Sequence, residues 1–368
     1  MTDDLLTYRI ALASIRGMSV DLAQKLFDVI PDEREFFELD EHTLKQITGG
    51  RSKVYDKFYR SQQLERARNE VEFVNKKNIR VTYFTDANYP ARLLEAPDAP
   101  ILLYSSGDCD LNAAHIISVV GTRHATPYGI NFTQRLIADL AAALPGLVVV
   151  SGLAYGIDIA AHRACLHNQV PTVAVMARGL NHIYPAQHRN DAVAIVRQGG
   201  AIVTDYTSLD EIHRGNFLAR NRIIAALSDC TVVVESATSG GALVTASLAA
   251  SYNRDVFALP GRISDEFSSG CNRLIKSNRA ALITGAEELI EAMQWESMAS
   301  VPQQREMFPQ LNTEEQQVVD ALRQHPDSHI NDIASALGQP VYRIMSTLID
   351  LECRNIVLSL PGSRFSLA

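Results

Sequence analysis

The chain has 368 residues, is 46% apolar and carries a formal net charge of −8. Such a length predicts more than one domain, and the composition is that of a soluble globular protein. The charge excludes a molecule coated in positive potential but leaves room for a local basic patch.

No run of about 18 apolar residues occurs, so no membrane span is expected. The opening MTDDLLTYRI has no basic region followed by an apolar run, so no signal peptide is expected. The five cysteines are scattered without a C-x-x-C, which reads as reduced thiols in a cytoplasmic protein. Ten histidines without an H-E-x-x-H spacing give no reason to expect a metal.

Residues 1–70 read as helical. Ile15-Arg16-Gly17-Met18-Ser19, followed by Ala23 and Leu26, has the outline of a helix-hairpin-helix turn. A weaker copy runs from Ile47 through Gly49 and Gly50 to Val54 and Phe58. Ser19 stands where such turns place a second glycine, so packing or protein contact is preferred over a DNA-backbone grip. A charged helix over 64–77 then leads into a strand at Ile79–Phe84, and Pro97 and Pro100 bracket a loop before a strand at Ile101–Tyr104.

From Ala114 to about Gly285, short apolar strands alternate with helices. The strands are Ile116–Val120, Leu147–Val150, Thr172–Met176, Ala201–Thr204, Thr231–Val234 and Val256–Leu259. They lack polar alternation, as strands buried on both faces do, and predict a doubly wound parallel α/β sheet. Residues 296–312 read as a linker. Beyond it, helices at Thr313–Gln324, Ile330–Leu337 and Val341–Leu351 and a hairpin around Pro361-Gly362 predict a winged helix, with Thr313 and Gln316 as a capping box. From Asn312 onward this unit holds seven acids and four arginines, which suits protein contact better than a duplex. The expected domains are therefore 1–70, 78–295 and 311–368.

Three loops at strand ends stand out. Gly121-Thr122-Arg123 follows the first central strand. Ser151-Gly152-Leu153-Ala154-Tyr155-Gly156 follows the second, where Gly152 and Gly156 would let backbone amides approach an anion at a helix N-terminus. Ser239-Gly240-Gly241 follows Glu235. None has the G-x-G-x-x-G spacing with a following acid that a dinucleotide needs, and there is no P-loop and no G-x-S-x-G elbow. The stretch from His213 to Arg222 holds Arg214, Arg220 and Arg222, with Asn221, one aromatic (Phe217) and no acid. With Arg123, and with Arg178, Tyr184, His188 and Arg189 after the third strand, it would make a positive groove with a stacking ring, which is the physics of single-stranded nucleic-acid binding. The other reading puts Phe217 in the core and pairs Arg220 and Arg222 with Glu235 or Asp205.

Together, VGTRHATPYG at 120–129, SGLAYGID at 151–158, YPAQH at 184–188, FLARNRIIAALSD at 217–229, VVVESATSGGALVTA at 232–246, FALPG at 257–261 and SSGCNRLI at 268–275 resemble the DNA-processing protein A (DprA/Smf) family. The ordered blocks span nearly the whole central region, and the helical module (SAM-like) and winged helix match a common family layout. The resemblance implies a Rossmann-like DNA-binding domain without a catalytic reaction or cofactor. It further implies a homodimer that binds single-stranded DNA, protects incoming strands in natural transformation and helps load the RecA recombinase. It places DNA contacts on Arg123 and Arg214 and a stacking contact on Phe217. The family's lysine after Tyr-Pro is here Ala186, and Ser277-Asn278-Arg279 departs from its usual Gly-Ala. The alternative is a nucleotide-processing enzyme akin to the phosphoribohydrolases of the same superfamily, whose P-G-G-x-G-T-x-x-E motif is not matched over Ser236–Gly241.

Overall fold

A computed structural model describes residues 2–48, 55–296, 311–354 and 356–367. The second hairpin copy at 49–54 and most of the expected linker lie outside the described residues. The chain divides into two compact units, 1–300 and 301–368.

The first unit opens with five helices: α1 (Asp3–Ala13), α2 (Val20–Phe27), α3 (Glu33–Glu38), α4 (Glu41–Thr48) and α5 (Lys57–Lys77). Gly17 turns between α1 and α2 at a φ of 93°, and Ser19 is the N-cap of α2, its side chain accepting from the Leu22 amide. The serine therefore has a capping role where the hairpin pattern wants glycine. The Arg16 amide donates to the Tyr59 hydroxyl, so this backbone group of the turn is used in packing.

The expected boundary at residue 70 falls inside α5. That helix is one 21-residue element capped by Asp56, and its Val71 and Val74 join Leu6, Ile10 and Leu26 in the apolar cluster that also holds Val148, Val173 and Val203 of the sheet. The helical module and one face of the sheet therefore share a core.

The sheet follows: β1 (Arg80–Tyr83), α6 (Ala91–Leu94), β2 (Leu102–Gly107), β3 (Ile116–Val120), α7 (Pro127–Ala143), β4 (Val148–Ser151), α8 (Ile157–His167), β5 (Thr172–Val175), α9 (Arg189–Arg197), β6 (Ala201–Thr204), α10 (Arg214–Ala226), β7 (Cys230–Val233), α11 (Gly241–Ser251), β8 (Asp255–Ala258), α12 (Ser269–Lys276), β9 (Ala281–Leu282) and α13 (Ala286–Ala292). Strand order is β1-β2-β6-β5-β4-β3-β7-β8-β9. β3 to β9 pair in parallel, whereas β1 and β2 run antiparallel at one edge. β3, β4, β5, β6 and β7 are buried at every residue, as strands covered by helices on both faces must be. The chain winds outward from β3 to β6 and then returns to place β7 on the other side of β3. The switch point, where neighbouring connections leave in opposite directions, thus lies between β3 and β7, and a crevice opens there at the carboxyl ends of the strands.

The second unit holds α14 (Thr313–Gln324), β10 (Ser328–His329), α15 (Ile330–Leu337), α16 (Val341–Cys353), β11 (Val357–Leu360) and β12 (Arg364–Leu367) around its own core of Val318, Leu322, Ile333, Leu348 and Phe365. Its helices and hairpin follow the order expected of a winged helix, with one added short strand, β10, on β12. The capping box differs from the expected one: Asn312 accepts from the Glu315 amide and Glu315 reaches back to the Asn312 amide. The register is one residue earlier because Asn312, at φ −71° and ψ 170°, is the extended residue that precedes the helix. No helix among the described residues is long and apolar enough to cross a membrane.

Candidate nucleic-acid groove

A groove of about 760 Å³ sits at the switch point. Most of its lining comes from the loop after β3, the loop between β7 and α11 with the start of that helix, and α10, and Ala154, Asp158, Tyr184 and Phe267 add to it from other loops and from α8. Of the residues singled out in the sequence, Gly121, Thr122, Arg123, Arg214, Phe217, Arg220, Asn221, Ser239 and Gly240 all reach it. Its charged side chains are three arginines against one aspartate, Asp158, in a chain whose total is −8.

Phe217 lines the wall. It is half-buried, the Arg123 guanidinium lies 5.6 Å from its ring centroid, and the Tyr184 ring meets it edge-on at 5.5 Å. Phe217 thus lies on the surface of the α10 first turns and is not part of an apolar cluster, which separates it from the core reading. Arg123 and Arg214 are exposed and make no ion pair among the described residues, so both charges face solvent. Cations beside a half-buried ring with one open face offer a phosphate contact and a base platform together.

Arg220 behaves differently. It is 4% exposed, and its Nη1 donates to Gly152 O at 2.7 Å and to Val175 O. Burial lowers its pKa to about 10, with Asp158 acting in the opposite direction. Asp158 is itself pushed up by burial, and Arg220 and the backbone of Ala154 and Gly152 pull it back. Arg220 is therefore a buried strut that ties the loop after β4 to the end of β5. A phosphate-tracking role would need its charge at the surface. Asn221 is likewise buried and holds the α11 loop through Gly241 O at 3.2 Å.

Ser151, Gly152, Gly156 and Arg222 do not line the groove. Ser151 is buried and its Oγ donates to Val119 O at 2.7 Å, joining β4 to β3. A Cβ at Gly152 would lie 2.6 Å from the Arg220 guanidinium, and one at Gly156, where φ is +78°, would lie 2.1 Å from Thr122 O. These glycines allow protein groups to approach one another, in place of the anion expected from the sequence. Arg222 pairs with Asp205 and donates to Asp98 O, as one of the two sequence readings allowed.

Glu235 also has a structural task. It is 2% exposed, accepts from the Thr126 amide at 2.9 Å and from the Thr126 hydroxyl, and so anchors the residue that caps α7. Its carbonyl receives the Thr122 amide at 2.7 Å, which fixes the Gly121–Arg123 loop beside the groove. Tyr184, expected in the groove from the sequence, reaches it, whereas two lining residues have no signal in spacing alone: the near-parallel pair His124 and Phe267, whose centroids are 6.0 Å apart. They come from loops that only the folded sheet brings together.

A doubly wound, mostly parallel sheet with a basic, aromatic crevice at its switch point defines a Rossmann-like α/β protein. The chain belongs to the DNA recombination-mediator protein A family, whose model matches residues 80–294, more than half of its length. It is 35% identical over 286 residues to Protein Smf of Escherichia coli strain K12, covering 74% of each chain. Among solved structures it is similar to DNA processing protein A from Streptococcus pneumoniae, with a TM-score of 0.65, 29% identity and coverage of 79% of this chain and 98% of that one. It is also similar to DNA processing protein A from Helicobacter pylori, for which a single-stranded DNA binding mode is described; there the TM-score is 0.52, identity 30%, and coverage 59% and 97%.

Proposed function

We propose that this protein binds single-stranded DNA in the switch-point groove, with Arg123 and Arg214 on phosphates and Phe217 under a base. The observation that carries the reading is the Arg123–Phe217–Tyr184 cluster, an exposed aromatic corner with an unpaired cation over it in an otherwise acidic molecule. A stacking platform engages only unpaired bases, so the groove favours single strands over duplex. The family relationship and the single-stranded DNA binding described for the Helicobacter pylori protein support the same ligand. Within that reading the protein acts without catalysis as a homodimer in the cytoplasm, protects incoming strands during natural transformation and helps load the RecA recombinase onto them. Glu235, the acid nearest the loop that would carry phosphoribohydrolase chemistry, is consumed by Thr126, which weighs against the enzymatic alternative.

The test is a titration of fluorescent oligo-dT and of a blunt duplex of equal length across a range of salt. Tighter binding of the single strand at every salt concentration is expected. Equal affinities throughout would overturn the reading.

A further inference from the structure

A second crevice, of about 740 Å³, opens on the other side of the α10 N-terminus, where the helical module meets the segment after β6. His213 and Asn216 line it, while Arg214 and Phe217, on the same helical turn, line the first groove. The helix between them begins without a side-chain cap, although its Asn216 amide donates to His213 O at 3.0 Å, so the positive end of its dipole is not met by a capping side chain. The module contributes Ile15, Arg16 and Tyr59 from the α1–α2 turn and α5.

Three arginines and three acids line this crevice. Arg66 pairs with Asp210 at 3.2 Å and Arg222 pairs with Asp205, which leaves Arg16 and the exposed Glu211 outside these pairs. Arg16 is exposed and has no acidic partner among the described residues. In the wall, Tyr104 is 3% exposed, yet its hydroxyl has no hydrogen-bond partner, and burial keeps that phenol protonated as a donor. A buried hydroxyl without a partner is costly, and a crevice that contains one is suited to a polar guest.

We propose that a bound single strand continues from the Phe217 groove over the uncapped end of α10 into this crevice, where Arg16 holds a phosphate and the Tyr104 hydroxyl faces the nucleotide. The inference rests on the single-stranded DNA reading and assigns the helical module a part in it: the module lengthens the binding site. The hairpin-like turn contributes through its arginine side chain, since the Arg16 amide is already bonded to Tyr59.

The test uses the full chain and two oligo-dT probes, one of about six nucleotides, near the lower end of the site sizes of single folds that track a strand, and one of about 20, beyond their upper end. Arg16→Ala is expected to weaken the long probe roughly three- to tenfold, to reduce its salt slope by about 0.7, and to leave the short probe unchanged. Arg16→Glu should deepen the loss for the long probe only. Unaltered binding of the long probe, or equal loss for both, would overturn the proposal. Arg123→Ala serves as the reference: if it leaves even the short probe unaffected, it is the groove assignment that fails and not the extension. Because the Arg16 side chain is exposed, melting temperatures of both variants should match the parent, and a lowered one together with loss of both probes would count against the extension.

Discussion

Phe217 and its two neighbours separate charge from stacking at the level of single residues. Arg123→Ala and Arg214→Ala each remove one phosphate contact and are expected to lower the slope of log K against log salt by about 0.7. Phe217→Ala is expected to cost roughly 1–3 kcal/mol of binding with little change in slope. A half-buried ring at the groove wall has little core to lose, so its melting temperature should stay near that of the parent; a core phenylalanine would instead lose about 3–5 kcal/mol of stability. Binding and thermal melts on the same three variants distinguish these outcomes. A different residue governs acid stability. His162 is fully buried on α8, and Thr172 Oγ1 donates to Val149 O, so the hydroxyl must accept from His162 Nδ1–H. Its Nε2 has no partner, and burial lowers the pKa to about 3. The folded protein therefore binds fewer protons than the unfolded chain between pH 6.5 and 3. Stability is complete above the unfolded value and falls as the pH drops, by about 2 kcal/mol at pH 5. Denaturant melts from pH 7 to 5 should show this slope, and His162→Asn should flatten it.

At the scale of elements, the groove depends on loops held by close backbone approach. Gly156 and Gly146 have similar positive φ values, 78° and 76°, but differ in surroundings: a Cβ at Gly146 meets nothing within 4 Å, whereas one at Gly156 runs into Thr122 O. Gly146→Ala is expected to cost only the left-handed backbone penalty, about 1–2 kcal/mol. Gly156→Ala must also part the loop before α8 from the Thr122–Arg123 loop and break the Ile157 amide bond to Thr122 O, so a loss beyond about 4 kcal/mol is expected, with weaker oligo-dT binding in whatever remains folded. Chemical denaturation of the two variants side by side checks this. If both cost the same, the loop contact carries no weight.

At the scale of the whole molecule, assembly is the open quantity. The homodimer that the family resemblance implies would form through the end of the sheet near β8 and α12, where Leu274 and Ile275 are apolar residues of α12. In the fold Leu274 is buried within the chain, and the exposed apolar side chains at this end are Ile263, 99% exposed after β8, and Leu282 of β9. A two-fold contact through this end is the simplest closed arrangement. Light scattering at tens of micromolar is expected to give a dimer, and Ile263→Asp to shift it toward monomer. A parent protein that is monomeric while binding oligo-dT normally would remove the dimer from the account.

Much of this architecture was legible from the chain alone, because buried strands in a parallel sheet must be apolar on both faces and helices must be punctuated. The Thr313–Gln324 and Ile330–Leu337 helices and the strand at Ile116–Val120 fall where the pattern puts them. Arg214 and Phe217 were visible in a cation-rich stretch with one ring and Arg123 in the loop after the first central strand, a signal that survives without coordinates since charge and aromaticity are properties of the residue. The tertiary structure decided what a linear pattern cannot encode. Arg220 and Arg222 sit in the same run as Arg214, yet the helical period turns one inward against Gly152 and Val175 and the other toward Asp205, so neither is free for a ligand. Gly152 and Gly156 read as ligand glycines until the fold places a guanidinium and a carbonyl against them. The antiparallel β1–β2 edge and the core shared by the first five helices and the sheet depend on contacts between residues far apart in sequence. Residue chemistry is local and can be read in order; which face a side chain turns to, and what it meets there, is fixed only when distant segments close on one another.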